Sequence, residues 1–141
     1  LIDNYVYIDK YPSGNKNIDE YIFKHKETLL KRKIRSFNET NWFEWGALRN
    51  KQYTDLHKGK MCIYVYNLTR KPQVAFISQL KFFGGSLIAL VPKHNINNNI
   101  LERVSSYINS YDFRSEFMFS GRFKIGQRQL CECVINKNIL I

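Results

Sequence analysis

The chain has 141 residues, which suits one domain whose hydrophobic core needs no disulfide or metal ion. A hydrophobic content of 44% with 15% aromatic residues is typical of globular proteins and argues against disorder. The formal net charge of +10 favours a polyanionic partner, of which nucleic acid is the commonest. The sequence holds neither an apolar run near the roughly 20 residues of a membrane span nor an amphipathic helix for a lipid surface. We therefore expect a nucleic-acid partner and no membrane.

The three cysteines, Cys62, Cys131 and Cys133, form an odd set. The spacing of Cys131 and Cys133 fits neither a zinc knuckle nor a thioredoxin-like motif, so we interpret all three as structural thiols in a reducing compartment. The expected location is cytoplasmic. The chain begins Leu1-Ile2-Asp3, with no Met and no signal peptide, which indicates a piece of a longer polypeptide.

The first part of the chain predicts an extended arm and one helix. Residues 3–11 alternate loosely and end at Pro12-Ser13-Gly14, a pattern typical of a short strand followed by a turn. Apolar residues then recur at helical spacing, which predicts a helix from about Ile18 to about Arg35. The basic residues 31–35 would lie in its last turn and complement the helix dipole, so a structural role is favoured over a DNA contact.

The middle of the chain predicts three strands. Runs of β-branched and aromatic residues indicate strands at 60–66, 73–77 and 86–91. Residues 67–72 between the first two are typical of a turn, so these two strands are expected to form a hairpin. Pro92 ends the third strand.

The last part of the chain predicts two more helices and two closing strands. Apolar spacing indicates helices at 100–108 and 112–119, the first of them capped by an Asn-rich segment. Residues 122–125 and 130–135 read as strands. These elements together predict an α+β fold with a mixed, mainly antiparallel sheet and two or three flanking helices.

Sequence signatures of catalysis are missing. Gly121–Gly126 spans the interval of a phosphate loop, but Gln127 and Arg128 stand where Lys and Ser or Thr are required. Gly84-Gly85 precedes a predicted strand, whereas the glycine turn of a cofactor site follows a strand and opens a helix. The histidines are isolated, and no nuclease metal signature occurs. We therefore expect no catalytic residue, no metal site and no cofactor bound by this chain.

The densest group of nucleic-acid-contacting side chains lies near the C-terminus. As part of a strand, Arg122 and Lys124 would be exposed on one face, while the apolar residues that alternate with them are buried. Gln127 and Arg128 follow after a glycine that allows a bend. Arginine can read guanine, glutamine can read adenine and lysine suits phosphate. Arg122 and Arg128 are thus candidate guanine contacts, Gln127 an adenine contact and Lys124 a phosphate contact. A basic strand edge that deters aggregation is the alternative.

Four further residues are candidate DNA contacts. Arg49 and Asn50 follow two tryptophans, of which one ring is expected to be buried, and this pair could hydrogen-bond base edges. Arg70 lies in the predicted hairpin turn and Lys81 in the loop before the third strand, where ligand contacts concentrate. Lys81 is a candidate phosphate contact. Solvated loop charge explains Arg70 and Lys81 equally well.

Several segments, taken in order, resemble the C-terminal target-recognition region of bacterial type II adenine-N6 DNA methyltransferases. These enzymes form the Eco57I/TaqI-like group of restriction–modification systems. The segments that carry the resemblance are Trp42–Asn50, Ile63–Arg70, Phe82–Pro92, Tyr107–Phe117 and Ser120–Leu130. The resemblance covers roughly residues 40–130, and the first 35 residues carry little of it.

The catalytic motifs of that family are absent from this sequence. Neither its glycine-rich S-adenosylmethionine loop nor its Asn/Asp-Pro-Pro-Tyr/Phe motif occurs here. The resemblance therefore implies that residues 1–36 form an arm and helix that link to a missing catalytic domain, and that residues 37–141 form a target recognition domain. It implies double-stranded DNA and the N-terminal methyltransferase domain of the same polypeptide as partners. S-adenosylmethionine is then expected in the missing domain.

Three other functions stay open at this point. A DNA-specificity domain of a restriction endonuclease would use a related module, and sequence upstream of Leu1 would separate the two enzymes. An RNA-binding module is suggested by Gly121-Arg122-Phe123, although the next three residues do not continue the RNA-recognition pattern. A purely structural interaction domain would show no salt-dependent binding of nucleic acid.

Overall fold

The computed structural model describes residues 6–47 and 50–139, and the chain divides into two compact units. The N-terminal unit is Leu1–Arg49 and the C-terminal unit is Asn50–Ile141. Each unit has its own cluster of buried apolar residues. The functional assignment of residues 1–36 as a linking arm and of residues 37–141 as a recognition domain stays a prediction.

The N-terminal unit contains two short helices, α1 (Lys16–Lys24) and α2 (Lys26–Leu30). Asn15 caps α1 because its side chain accepts the backbone N–H groups of the next turn. His25, with φ −102° and ψ 6°, separates the two helices. The predicted single helix to Arg35 was therefore wrong, since helical structure ends at Leu30. Residues 3–11 were predicted to form a short strand or an extended arm, and the described part, residues 6–11, forms no strand.

The core of the N-terminal unit consists of Ile8, Ile22 and Trp42. Trp42 is buried, whereas Trp45 is half-buried and its indole N–H donates to the carbonyl oxygen of Val6 at 2.9 Å. The prediction that one tryptophan ring is buried is confirmed.

Two of the basic residues 31–35, Arg32 and Arg35, connect loops of the N-terminal unit. The Arg32 guanidinium donates to the carbonyl oxygens of Leu29, Trp42 and Glu44 at 2.7–2.9 Å. Arg35 forms an ion pair with Glu44. These contacts give Arg32 and Arg35 a structural role, but not at the end of a helix, because the residues lie beyond α2.

The C-terminal unit begins with helix α3 (Lys51–Leu56) and contains a three-stranded antiparallel sheet. Its strands are β1 (Met61–Tyr66), β3 (Ala75–Gln79) and β4 (Leu87–Leu90), in the order β3-β1-β4. The three predicted strands of the middle segment and the hairpin between the first two are confirmed.

A second, smaller antiparallel sheet is formed by segments far apart in the chain. Its strands are β2 (Leu68–Thr69), β5 (Met118–Phe119) and β6 (Arg122–Lys124), in the order β2-β6-β5. Strand β2 lies inside the segment that was predicted as a simple turn. The α+β prediction is confirmed, and the strands are divided between two sheets.

Three α-helices follow the first sheet in the described part of the chain: α4 (Asn98–Ile108), α5 (Tyr111–Glu116) and α6 (Gln127–Glu132). A 3-10 helix lies at Lys137–Ile139. Helix α4 is capped by Asn97, as its sequence predicted. The helix predicted to reach residue 119 ends earlier, because residues 118–119 pair with β6. The strand predicted at residues 130–135 was wrong, since its first part belongs to α6.

One hydrophobic core joins both sheets to the three helices. It contains Ile63 and Val65 from β1, Ile108 from α4, Phe123 from β6 and Leu130 from α6, among others. Burial of apolar area at roughly 25 cal/mol per Å² is the main favourable term for such a core. The second sheet is therefore fixed to the first by packing as well as by chain connection.

The side chain of Asn109, at the end of α4, ties this helix to β3. Its amide oxygen accepts the backbone N–H groups of Val74 and Ala75 at 2.7 and 3.0 Å. Its amide nitrogen donates to the carbonyl oxygens of Ala75 and Ser105 at 2.8 and 2.9 Å. Val74 and Ala75 are fully buried, so water cannot replace these bonds.

We expect Asn109→Ala to lower the free energy of unfolding by about 2–4 kcal/mol, because it leaves two buried N–H groups without an acceptor. Urea unfolding followed by circular dichroism measures the change. The matched control is Asn95→Ala, an exposed site where a change within about 0.5 kcal/mol is expected. Equal effects of the two substitutions would contradict this role of Asn109.

Candidate nucleic-acid interface

The positive charge of the chain is concentrated in the C-terminal unit. Thirteen of the 22 Lys and Arg residues but only five of the 12 Asp and Glu residues follow Arg49, so this unit has a formal net charge of +8. Its acidic residues lie on helices α3, α4, α5 and α6. A polyanion would therefore be attracted more strongly to the C-terminal unit than to the N-terminal unit.

The outer face of the second sheet carries two cations. Arg122 and Lys124 are exposed, while Phe123 between them and Ile125 after them are each 1% exposed and packed in the core. The predicted alternation is thus confirmed. Because the apolar residues are anchored, the two cations are held outward on a strand rather than on a free loop.

Strand register brings two exposed apolar residues to the same face. Phe119 is paired with Arg122, and Leu68 is paired with Lys124. Residues directly opposite in an antiparallel pair point to the same side, about 5 Å apart. Phe119 and Leu68 are 54% and 49% exposed. We call these four residues, Leu68, Phe119, Arg122 and Lys124, the outer face.

Arg70 extends the outer face. Arg70 is exposed and follows β2 directly. If the pairing of β2 and β6 continued by one residue, Arg70 would lie opposite Arg122. In the described part of the chain, no ion pair or side-chain hydrogen bond engages Arg70, Arg122 or Lys124. Three cations from two distant segments therefore remain available to an anionic ligand.

A tight turn joins the two strands at one end of the outer face. Ser120 and Gly121 both have positive φ, 49° and 71°. Two consecutive residues of this kind form the turn that matches the natural twist of a two-residue β-hairpin. The turn fixes the relative position of Phe119 and Arg122, the residues on either side of it.

Gln127 and Arg128 lie in the first turn of α6, beyond the sheet. Both are exposed, and the expected bend at Gly126 is the start of this helix, where the Gln129 side chain accepts the Gly126 N–H at 2.8 Å. Arg128 forms an ion pair with Glu132 at 2.9 Å. The pair is highly exposed and one turn apart, so it is worth only about 0.3–0.5 kcal/mol, and a phosphate or base could displace it.

Asn67, which the sequence marked only as part of a turn, positions the strands of the site. Its backbone carbonyl accepts the N–H of Ile125 at 2.9 Å. Its side chain donates to the carbonyl oxygen of Gly85 at 2.8 Å, and its backbone N–H donates to Ser86 at 3.0 Å. Asn67 thereby links β1, the end of β6 and the loop before β4. The contacts are long-range, so no local sequence signal could reveal them.

The remaining predicted contacts lie apart from the outer face. Lys81 is exposed two residues beyond the end of β3, where the Tyr64 hydroxyl accepts its backbone N–H at 3.0 Å. Asn50 is exposed with φ 56° at the start of α3. Arg49 lies outside the described residues. The structure thus brings together Arg122, Lys124 and Arg70, with the first turn of α6 following, and leaves Lys81 and Asn50 elsewhere on the unit.

The opposite face of the first sheet is aromatic but largely covered. Tyr64 is 4% exposed and packs against Phe76 and Phe83, with ring centroids 5.4 and 5.3 Å away. Burial raises the pKa of the Tyr64 hydroxyl above its ordinary value, and this hydroxyl donates to the carbonyl oxygen of Lys81. This face offers packed rather than free rings to a nucleic acid.

The glycine segments Gly84-Gly85 and Gly121–Gly126 differ in how they lie relative to strands and helices. Gly84-Gly85 leads into strand β4 and opens no helix. Gly126 does lie between β6 and α6, but its N–H is already bonded to the Gln129 side chain. Within residues 6–47 and 50–139 there is also no group of three potential metal ligands.

Among the helices that the structure describes, none combines the length and the apolar character needed to cross a membrane.

Comparison with known proteins finds one informative similarity. No protein-family model matches the chain, and no solved structure is significantly similar to it. The chain is 29% identical over 123 residues to the type II methyltransferase M.MjaIV of Methanocaldococcus jannaschii. The match covers 86% of this chain but only 38% of that protein. This similarity supports a methyltransferase-related protein.

We expect Gly121→Ala to weaken the hairpin by about 1 kcal/mol, because an L side chain disfavours the positive φ at this position. Hydrogen–deuterium exchange measures this at the amide of Lys124, which bonds to the carbonyl of Phe117 at 2.9 Å. The control is Gly84→Ala, where φ is not positive and an added Cβ likewise meets no atom within 4 Å. Unchanged exchange in Gly121→Ala would contradict a requirement for glycine at this turn.

Proposed function

We propose that this chain is a sequence-specific duplex-DNA recognition domain of an adenine-N6 DNA methyltransferase from a restriction–modification system. The observation that carries the proposal is the outer face, where Arg122 and Lys124 stand on an anchored strand with no acidic partner in the described part of the chain. The similarity to a type II methyltransferase along most of the chain supports the enzyme class.

The chemistry would belong to the rest of the polypeptide. The chain spans 38% of the length of the methyltransferase that it matches, which leaves room there for a separate catalytic domain. That domain would bind S-adenosylmethionine and accept the target adenine after rotation out of the duplex. The role of this chain would be to hold the duplex in register and to select the site.

Phosphate and base contacts would be divided by side-chain type. Lys124 and Lys81 present single ammonium groups that suit phosphates, which fix position without reading sequence. Arg122 and Arg128 can bond the guanine edge with two parallel hydrogen bonds, and Gln127 can do so with adenine. Arg70, Arg49 and Asn50 complete the proposed contacts, either with phosphates or with base edges.

The first sheet differs in one respect from the sheets of RNA-binding modules. RNA modules of the sheet type stack unpaired bases on free aromatic rings. The rings on the first sheet pack on one another, and Tyr64 is buried. The cations without an acidic partner lie on the second sheet instead.

We expect Arg122→Ala and Lys124→Ala each to weaken binding to duplex DNA, because each removes a cation from the outer face. The probe is the duplex that the full chain enriches from a random-sequence pool, measured at several salt concentrations. A lost phosphate contact lowers the salt slope by about 1, whereas a lost base contact costs about 1–3 kcal/mol and relaxes one position.

Arg103→Ala is the matched control for these substitutions. Arg103 is an exposed arginine on α4, so its loss removes the same charge from the same unit. The proposal requires Arg103→Ala to bind nearly as the wild type does. Equal losses from all three substitutions would indicate a diffuse charge effect, and the absence of salt-dependent binding to any duplex would rule out DNA recognition.

For Arg128→Ala we expect specific binding to weaken by roughly 1–3 kcal/mol, with lost discrimination at one base pair. The loss of the exposed ion pair with Glu132 contributes little to stability, so the fold should be retained. Affinities for the enriched duplex and for a random duplex measure the effect. If both fall equally, Arg128 contacts a phosphate only.

A further inference from the structure

Phe119 is an unusual phenylalanine in this chain. In the described part of the protein, each of the other nine phenylalanines makes a ring contact or lies beneath a cation. Phe119 makes neither, is 54% exposed and belongs to none of the hydrophobic clusters. Single exposed apolar residues are common on protein surfaces. The role of Phe119 therefore has to be inferred from its position and not from its exposure alone.

The position of Phe119 is fixed by the hairpin. It pairs with Arg122 immediately before the Ser120-Gly121 turn, and both turn residues have positive φ. The last pair between β2 and β6 joins Thr69 to Phe123. Phe119 and Arg122 therefore lie beyond the paired end of β2, at the tip of a two-stranded ribbon.

A two-stranded ribbon of this kind fits a groove of duplex DNA. Arg122 stands across the ribbon from the Phe119 ring, with Lys124 farther along the same face and Arg70 beside it in continued register. The cations would draw the tip against the phosphates, which brings an apolar ring to the stacked bases. Proteins that bind the minor groove frequently insert such apolar side chains between base steps and thereby unstack them.

We propose that Phe119 inserts at a base step of duplex DNA, with Arg122 holding the neighbouring base edge or phosphate. This inference rests on the proposed function and adds a residue to which neither the sequence motifs nor the charge pattern pointed. In this proposal the Phe119 ring contacts the bases, and the cations contact the phosphate backbone of the DNA.

The first experiment uses the full chain with mixed-sequence duplex DNA in which 2-aminopurine replaces some adenines. Wild-type protein should raise the 2-aminopurine fluorescence, because the base becomes unstacked. Phe119→Ala should abolish this rise and weaken binding roughly tenfold, within the range of one base–aromatic contact. Its salt slope should stay at the wild-type value, since no charge is removed.

Tyr111→Ala is the matched control, because Tyr111 is a 77% exposed ring in the same unit. It should behave as the wild type does. A second pair of variants, Phe119→Trp and Tyr111→Trp, adds one indole to those of Trp42 and Trp45. After subtraction of the wild-type emission, DNA should quench the indole at position 119 and leave the indole at position 111 unchanged.

The outcomes separate this inference from the proposed function. If Arg122→Ala weakens DNA binding while Phe119→Ala binds and unstacks bases normally, the insertion is wrong and the recognition function stands. Absence of a 2-aminopurine signal with the wild type also overturns the insertion. If no duplex binds at all, the proposed function fails first, and stronger binding to structured RNA overturns the DNA partner.

Discussion

Burial of Phe123 and Ile125 is the constraint on which the candidate interface depends. Both side chains are 1% exposed and pack in the core that also holds β1, α4 and α6. Because side chains alternate along a strand, this burial forces Arg122 and Lys124 to the opposite side. The cations are therefore oriented by hydrophobic packing rather than by polar partners. A ligand that pairs with them need not break an existing ion pair in the described part of the chain.

The same anchoring lowers the entropic cost of binding. A long cationic side chain on a free loop loses both backbone and rotamer freedom when it meets a ligand, whereas on an anchored strand only the rotamer freedom is lost. Asn67 anchors the neighbouring loop in the same way, through its hydrogen bonds to Ile125 and Gly85. Arg128 also stands on an anchored element, because Leu130 of α6 is buried in the same core.

Local patterns predicted much of the fold, and the errors have clear physical causes. The alternation in β6 and the Asn-capped α4 were recognised because each depends on neighbours in sequence. Residues 130–135 read as a strand, but Leu130 and Cys133 also fit helical spacing over so short a run. The Gln129 bond to Gly126 starts a helix there instead. The end of α1 was misjudged because His25 has a non-helical backbone conformation. The end of α5 was misjudged because β5 pairs with β6. Local propensity reveals neither feature.

The outer face itself could not be predicted, because long-range pairing assembles it. Leu68 meets Lys124, and Phe119 meets Arg122 only through the register of the second sheet. Sequence reasoning found Arg122 and Lys124, since their chemistry is visible locally, but it missed both apolar partners. An apolar residue attracts attention as a ligand contact only once its exposure is known. The surface therefore exists only in the folded unit, and a polyanion that binds it should stabilise the pairing of β2, β5 and β6 in proportion to its affinity.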